Sequence, residues 1–333
     1  MTGAAQRRRP GRAPYWVLGA HGQLAQEFLR VLGSQARGFD RGESRQLGDA
    51  LSASGRPLPG SDARPQPDQR EGGSNKRWPC HLELGDAAAL ERHLAAASPQ
   101  VVINAAAFNQ VDLAETRRQQ ALAANFTGPA QLARAAERHG FTLVHFSTDY
   151  VFGGDGLARP RTEADPPQPV NFYGYSKLLG EEAVLRSGAR TLVARVAHLY
   201  GGESLSPGRA NLVQRFLERA RTGQPIQVTR GQMLNPTSVT DVVAAVLELL
   251  LRGAAGLFHL TGDGACTAEE FAAAVLQWSG LKAEIRLVER DQRAAPRAAN
   301  TVLENRRLAA EGFPPMPHWR NSLAAYLKPR PNE

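Results

Sequence analysis

Several things are scarce in this chain of 333 residues, and each scarcity closes off a class of function. There are two cysteines, Cys80 and Cys266, far apart and without the short spacings of a metal site, so they read as buried thiols in a reducing compartment. No apolar run approaches the ~20 residues that cross a bilayer. Aromatics make up 7% of the chain, and no stretch interleaves them with basic residues as a nucleic-acid surface would. The arginine triplet Arg7, Arg8 and Arg9 could announce an export signal, but the apolar run that follows, Tyr15–Leu18, is short and leads straight into a glycine turn. The expectation is a cytoplasmic protein with a basic disordered tail over residues 1–13, and with neither a membrane nor a nucleic acid as partner.

What is present suits a globular enzyme. Hydrophobic residues make up 42% and charged residues 22%, enough for a substantial core. The net charge of +8 suits a polyphosphate ligand, although Arg7, Arg8, Arg9 and Arg12 belong to the tail.

From Tyr15 onward, strand and helix patterns alternate. The run Tyr15–Leu18 enters Gly19-Ala-His-Gly22-Gln23-Leu24-Ala25 and then a helical pattern through Leu32. Gly19 permits the tight turn, and Gly22 lets backbone amides approach a pyrophosphate at the positive end of the helix; Ala25 stands where the usual third glycine would pack helix on strand. About twenty residues on, 35–39 leads to Asp40, the place of the acid that binds the adenosine ribose. Arg41 follows and could hold a 2′-phosphate or be a solvated loop charge, so NAD and NADP both stay open. Residues 41–77, rich in Gly, Ser, Pro and charge, read as a surface insertion. The pattern resumes with a strand at 80–84, an N-cap at Asp86, a helix Ala87–Ala97, a strand Val101–Asn104 and the small residues Ala105, Ala106 and Ala107, which leave room for a cofactor or simply pack. A loop opens at 111–115. A long helix over 116–139 contains Asn125, poor in helix propensity and therefore solvent-facing or doing a local job. A strand over 141–147 delivers Thr148 and Asp149. The alternation predicts an α/β fold: a Rossmann-type doubly wound parallel sheet, residues 14–196, with ligands at the carboxyl ends of its strands. Residues 197–330, a Gly/Ser-rich loop followed by short helices and short extended pieces, read as a smaller mixed α/β substrate lobe.

The stretch 146–177, FSTDYVFGGDGLARPRTEADPPQPVNFYGYSK, carries the chemistry. It runs from the end of a strand to the first turn of a helix over 173–187 that joins the two parts. Tyr173 and Lys177 stand four apart and share a helix face; Thr148 sits at the strand end. A free tyrosine has a pKa of about 10. An ammonium ~4 Å away in a partly desolvated site stabilises the phenolate by up to ~4 kcal/mol, about three pKa units. Hydroxyl, phenol and ammonium together make a proton-donating set for carbonyl reduction.

Six stretches carry a family resemblance over nearly the whole chain outside the insertion: VINAAAFNQVDLAE, FSTDYVF, NFYGYSKLLGE, the NPT at Asn235–Pro236–Thr237, GLFHLTG and PRAANTVLENRRL. Together, in this order, they resemble the dTDP-4-dehydrorhamnose reductases of the extended short-chain dehydrogenase/reductase superfamily. The resemblance implies that Tyr173 protonates the C4 oxygen of a dTDP-4-ketosugar, that Lys177 lowers its pKa and holds the nicotinamide ribose, that Thr148 bonds the same oxygen and that Asp149 binds the sugar. Gly19, Gly22, Gln23, Leu24, Asp40, Ala105, Ala106, Ala107 and Phe146 would line NADP(H) or NAD(H). It also allows a Mg²⁺ ion and a homodimer, which no residue pattern here requires; no metal-ligand set is assigned. There are departures. His198 stands where the family tends to carry a substrate-contacting Trp, and reads either as a pocket residue or as a loop residue facing water. Leu234 and Asn235 precede Pro236 in place of smaller residues and are expected to reshape the pocket. Arg297 is followed by Ala298 rather than Pro; it could pair with a pyrophosphate or cover the surface. Two alternatives accompany the reductase reading: a nucleotide-binding regulatory subunit resembling that of methionine adenosyltransferase, and a reductase or epimerase of another NDP-4-ketosugar.

Overall fold

The computed structural model describes residues 14–40, 80–82, 84, 86–202, 210–289 and 293–328. The expected tail, the insertion 41–77, Arg41 and the Cys80 side chain lie outside this description.

A parallel sheet of seven strands organises the chain, in the order β11-β6-β5-β4-β1-β2-β3. Its strands are β1 (Tyr15–Leu18), β2 (Ala36–Asp40), β3 (Cys80–His81), β4 (Val101–Asn104), β5 (Thr142–Thr148) and β6 (Thr191–Val196), with β11 (Gly256–His259) at the far edge. Short pairs make up the rest: β7 (Leu199–Tyr200) with β10 (Thr237–Ser238), β8 (Ile226–Thr229) with β13 (Ile285–Val288), and β9 (Met233–Leu234) with β12 (Cys266–Thr267). The helices are α1 (Gln23–Leu32), α2 (Ala87–Ala97), α3 (Val111–Thr116), α4 (Arg118–Leu122), α5 (Gly128–His139), α6 (Phe172–Leu185), α7 (Leu212–Arg221), α8 (Val239–Leu251), α9 (Ala268–Ser279), α10 (Arg306–Ala310) and α11 (Trp319–Leu327).

Alternation along the strands sorts side chains onto two faces. Val17, Ile103 and Val144 pack with Phe28 of α1 and Val243 of α8 on one face; Trp16, Leu18, Val102 and Leu143 pack with Leu94 of α2 and Leu132 of α5 on the other. A third core, built on Tyr200, Phe216, Phe271 and Trp319, belongs to the lobe and includes the buried thiol Cys266. Asp86 caps α2 as expected, its carboxylate accepting from Ala89 N–H at 2.8 Å. The strand order reverses between β1 and β4, and a crevice at their carboxyl ends is where such sheets bind ligands.

Four expectations need correcting. The stretch at 111–115 is not a loop but α3, with Asp112 in its first turn. One of the short extended pieces of 197–330, Gly256–His259, does not belong to the lobe: as β11 it pairs with β6 and completes the main sheet, and α8 packs on α1, so the chain returns to the nucleotide fold after residue 197. Length explains the error, because a four-residue strand has no periodicity of its own and is identified by its partner. The loop after β6 contains β7, which pairs with β10 just past the NPT stretch. The long helix over 116–139 is interrupted by a π-helical segment at Ala123–Thr127.

That π segment lies where two helices come unusually close. A Cβ on Gly180 of α6 would stand 1.9 Å from the Asn125 carbonyl oxygen, and one on Gly174 would stand 2.1 Å from that of Tyr150. Both glycines exist for backbone approach rather than for a turn. Gly180→Ala is therefore expected to overpack this contact at a cost of about 1–3 kcal/mol, read as a lower urea midpoint; an unchanged midpoint would mean that α6 can withdraw freely from the π segment.

Candidate active site

The site forms where α6 crosses the carboxyl end of β5. Asn171 starts the helix: its side chain accepts from Gly174 N–H at 2.8 Å and donates to the Pro296 carbonyl at 2.9 Å. Tyr173 and Lys177 then point from one face, as their spacing predicts. Lys177 is 3% exposed and its ammonium donates to the Phe146 carbonyl at 2.5 Å. Burial pulls its pKa down to about 8, with the Glu181 carboxylate acting in the opposite sense. Tyr173 is partly exposed, its ring edge-on to Tyr150 at 5.6 Å. Burial raises the phenol's pKa, opposed by a hydrogen bond with the Thr148 hydroxyl. Left to itself the phenol is a weaker acid than free tyrosine.

Thr148, Asp149 and Thr301 form a buried chain. Thr148 Oγ1–H donates to Asp149 Oδ1 at 3.0 Å, and Thr301 Oγ1–H donates to Asp149 Oδ2 at 2.5 Å. A hydroxyl has one proton, so with that proton on Asp149 the Thr148 oxygen is an acceptor toward both Tyr150 N–H, at 3.2 Å, and the phenol. Asp149 thus orients Thr148 from a position 2% exposed, with both carboxylate oxygens bonded to threonine hydroxyls. His198 faces the site: it is 14% exposed, adopts φ +46°, and its Nδ1 lies 4.0 Å from Asp149 Oδ2. Burial lowers its pKa, so the ring is neutral.

The cofactor residues assemble at the crevice. Gly19 takes φ +77°, and a Cβ there would meet Ala106 N at 2.7 Å, so the turn presses backbone to backbone against the small Ala105–Ala106–Ala107 run. Gly22 caps α1 with no side-chain acceptor, no acid lies in the helix's first turn, and the buried Gln23 Nε2 has no protein partner. Open amides at a helix N-terminus and an orphaned donor beside them fit the pyrophosphate of a dinucleotide. Asp40 stands at the end of β2, its Oδ2 accepting from His21 N–H at 2.9 Å and lying 2.8 Å from His21 Nδ1. Leu24 and Phe146 contribute differently from expectation. The Leu24 side chain is in the core, and the Phe146 ring packs on Phe28 at 5.9 Å, so Phe146 acts through the carbonyl that holds Lys177.

Arg297 is paired rather than free. It grips Asp112 of α3 at 2.6 and 2.8 Å and hydrogen-bonds the Tyr150 phenol. It lines a cleft of about 360 Å³ together with Arg230 and Arg293. Arg215 of α7 is near enough for the Arg293 charge to lower its pKa alongside burial. Leu234 and Asn235 do not reshape the pocket as expected. Leu234 is in the lobe core, and Asn235 accepts from Leu303 N–H at 2.7 Å and donates to Gly264 O at 3.2 Å. Among the described residues no three His, Cys, Asp or Glu side chains cluster as metal ligands, and no helix is long and apolar enough to cross a membrane.

Asn125 has the local job its composition hinted at. From the π segment it accepts from Phe108 N–H at 2.8 Å and donates to Phe108 O and Ser176 Oγ, each at 2.9 Å. Thr301, Tyr150 and Asp112 had no local signal in the sequence, because each acts through a residue distant in the chain.

The fold and the Thr148, Tyr173 and Lys177 set define an extended short-chain dehydrogenase/reductase. A family model, the RmlD substrate binding domain, matches residues 15–331, and the chain belongs to that family. It is 38% identical over 253 residues to a dTDP-4-dehydrorhamnose reductase of Mycobacterium tuberculosis, covering 74% of this chain and 81% of the relative. It is 34% identical over 251 residues to the spore coat polysaccharide biosynthesis protein SpsK of Bacillus subtilis, covering 75% and 86%. A crystal structure of a dTDP-4-dehydrorhamnose reductase from Clostridium acetobutylicum superposes with TM-score 0.75 at 27% identity, over 94% of this chain and 98% of that one.

Asn125→Ala would leave the Phe108 amide and carbonyl without partners at the helix junction. The expected loss is about 1–3 kcal/mol, measured as a lowered melting temperature; a melting temperature equal to that of the unsubstituted protein would mean that water serves Phe108 equally well.

Proposed function

We propose that the protein reduces the C4 keto group of dTDP-4-dehydro-6-deoxy-L-mannose to dTDP-L-rhamnose, with NADPH or NADH as reductant. The observation that carries this reading is the assembly of Thr148, Tyr173 and Lys177 at the end of β5, beside the glycine turn and the ribose-binding acid. The names of the relatives in M. tuberculosis and C. acetobutylicum support it. A fold neighbour from Bacillus anthracis was solved in complex with NADP (TM-score 0.74, 23% identity, covering 95% of this chain and 98% of that one). As part of the same reading the enzyme works in the cytoplasm, and the homodimer that the resemblance allows goes with it. The relatives' names favour an enzyme over a regulatory partner.

The nicotinamide supplies the hydride to C4. The chain's own residues handle the proton and the binding. The C4 oxygen takes the place of the Thr148 oxygen as acceptor of the phenol proton. Tyr173 passes that proton to the developing alkoxide, and the Lys177 ammonium stabilises the phenolate left behind. Asp149 keeps the Thr148 hydroxyl oriented, and Thr301 keeps Asp149 in place. Arg215 and Arg293 offer guanidinium groups to the two phosphates of the nucleotide, for which neighbouring cations are a ready seat.

A second reading, reduction of another dTDP-4-ketosugar, is favoured by one observation. His198 replaces a large aromatic surface with a neutral imidazole beside Asp149, which suits a hydroxyl-bearing sugar face better than a stacked one. A streptomycete relative, 35% identical over 260 residues (73% of this chain, 82% of the relative), is named as a probable ketoreductase of a different dTDP-sugar. Comparing turnover across dTDP-4-ketosugars separates the two readings.

Tyr173→Phe is expected to lower kcat by about 10²–10⁴-fold while NADPH still binds, measured by absorbance loss at 340 nm and by fluorescence titration; unchanged turnover would remove Tyr173 as the acid. In the unsubstituted enzyme kcat/KM should fall as pH rises through about 8, because Lys177 loses the proton that supports the phenolate there. A profile flat to pH 10 would contradict that role.

A further inference from the structure

The glycine turn carries one chemically active side chain that the proposed reduction leaves unused. His21 stands between Gly19 and Gly22 and closes on Asp40, the acid at the place of the adenosine ribose. Its backbone N–H donates to Asp40 Oδ2 at 2.9 Å, and its Nδ1 lies 2.8 Å from the same oxygen. Backbone and ring together grip one carboxylate oxygen, which fixes the orientation of the imidazole. The frame around it is fixed as well. Gly22 N–H donates to the Gly19 carbonyl at 2.9 Å across the turn, Ala20 N–H to the Phe39 carbonyl at 3.0 Å, and Leu82 N–H to the Asp40 carbonyl at 3.0 Å. The Gln26 side chain donates to the Ala20 carbonyl. The pair is still open to a ligand: the side chains of His21 and Asp40 are 29% and 19% exposed.

An ionised carboxylate accepts and does not donate, so Nδ1 carries its hydrogen whatever the charge of the ring. The two ring nitrogens diverge, and Nε2 is directed away from Asp40. In the neutral ring Nε2 is an acceptor; in the imidazolium it is a positively charged donor. A ribose 2′-hydroxyl can donate to the first. A 2′-phosphate, an acceptor rich in negative charge, suits the second. The charged groups of the neighbouring elements are disposed as follows. β2 sets Asp40 against the ring, while Arg37 of β2 and His93 of α2 are engaged with the Phe39 ring. The first turn of α1 presents Gln23 and Gln26, both uncharged, and its Glu27 turns to Arg30 and to Thr240 of α8. Asn104, Ala105 and Ala106, at the end of β4, carry no charge.

We propose that His21 reads the 2′ position of the adenosine ribose: neutral, it accepts from the hydroxyl of NAD(H), and protonated, it donates to the phosphate of NADP(H), so that the preference between the two cofactors follows pH. The inference rests on the nicotinamide cofactor of the proposed function and adds what selects its form. A histidine changes charge between about pH 5 and 8, so within that span the preference turns toward NADP(H) as pH falls. A guanidinium such as that of Arg41, the sequence candidate for the same phosphate, stays charged throughout and gives no such dependence.

The test uses the full-length protein, whose eight histidines give a countable spectrum when labelled with ¹³C at Cε1. His21→Gln identifies the His21 signal by its loss, with His21→Asn as the second variant should the first fail to fold. The probes are NADP⁺ and NAD⁺, which carry the same riboses as the reduced forms and withstand mild acid. Saturating NADP⁺ is expected to raise the His21 titration midpoint by about one pH unit, and NAD⁺ to leave it in place or lower it. By linkage, calorimetry should show the affinity for NADP⁺ relative to NAD⁺ falling about tenfold from low to high pH across that midpoint. Either variant is expected to lose this fall. What remains is the phosphate's own proton, released near about pH 6, which acts in the opposite direction by adding charge to the ligand as pH rises. A midpoint that moves equally with both nucleotides, or with neither, overturns the proposal, since a pair that only braces the turn cannot tell a phosphate from a hydroxyl. A relative affinity with the same pH dependence in the unsubstituted protein and a folded variant overturns it too. Failure to bind either nucleotide overturns the cofactor reading, and this inference with it. Because the readouts are binding and titration, failure of the ketosugar reaction is not mistaken for failure here.

Discussion

A lysine ammonium buried to 3% exposure is the constraint on which the rest of this active site depends. Burying a cation costs several kcal/mol unless it is hydrogen-bonded and faced by opposite charge. Here the Phe146 carbonyl accepts from the ammonium, and the Glu181–Arg195 pair lies one turn further along α6; both require α6 to lie hard against β5 and β6. The close contacts follow. Gly174 and Gly180 remove the side chains that would hold the helix away, and the π segment at Ala123–Thr127 turns Asn125 inward to bridge Phe108 and Ser176. A π bulge widens a helix by one residue and costs hydrogen-bond geometry, so it persists where that displacement is used. Here it aims one amide at a backbone pair and at the catalytic helix together.

The C-terminal stretch 295–305 acts as a brace across the cleft. Pro296 takes the Asn171 amide, Arg297 spans Asp112 and Tyr150, Thr301 holds Asp149, and Leu303 is pinned by Asn235. All but the last of these ties join the lobe to the nucleotide fold, so under the proposed function the segment sets the distance between substrate seat and proton donor. A one-ångström error in such a distance can cost orders of magnitude in rate, which gives a physical reason for so many polar contacts on eleven residues. Asp149 is the point where brace and catalytic set meet. With both oxygens bonded to threonine hydroxyls it governs the direction of a proton.

The elements with internal periodicity were legible in the chain itself. Tyr15–Leu18 with Gly19 and Gly22, Ala87–Ala97 behind Asp86, and Val101–Asn104 stand where the pattern put them, because a strand–turn–helix unit carries its instructions locally. The pairing of Tyr173 with Lys177 was legible for the same reason, since four residues on a helix specify a shared face. Gly256–His259 and Leu199–Tyr200 were not, being strands only by virtue of a partner. Nor could composition separate a glycine kept for a turn, such as Gly19, from one kept for a close approach, such as Gly180.

What the amino-acid sequence determined alone was therefore the class of fold, the glycine turn and the shared helix face of Tyr173 and Lys177, the proposed proton donor and its cation, all of which rest on spacings of four residues or fewer and on strongly patterned segments. What only the tertiary structure decided was the electrostatic setting of that donor. That Thr301 meets Asp149 across 152 positions, that Arg297 meets Asp112 across 185, and that Arg195 meets Glu181 from a neighbouring strand are outcomes of topology. Charge and hydrogen-bond geometry act through space with no memory of the chain, and so the residues that set the acidity of Tyr173 and Lys177 come together only when the sheet is complete.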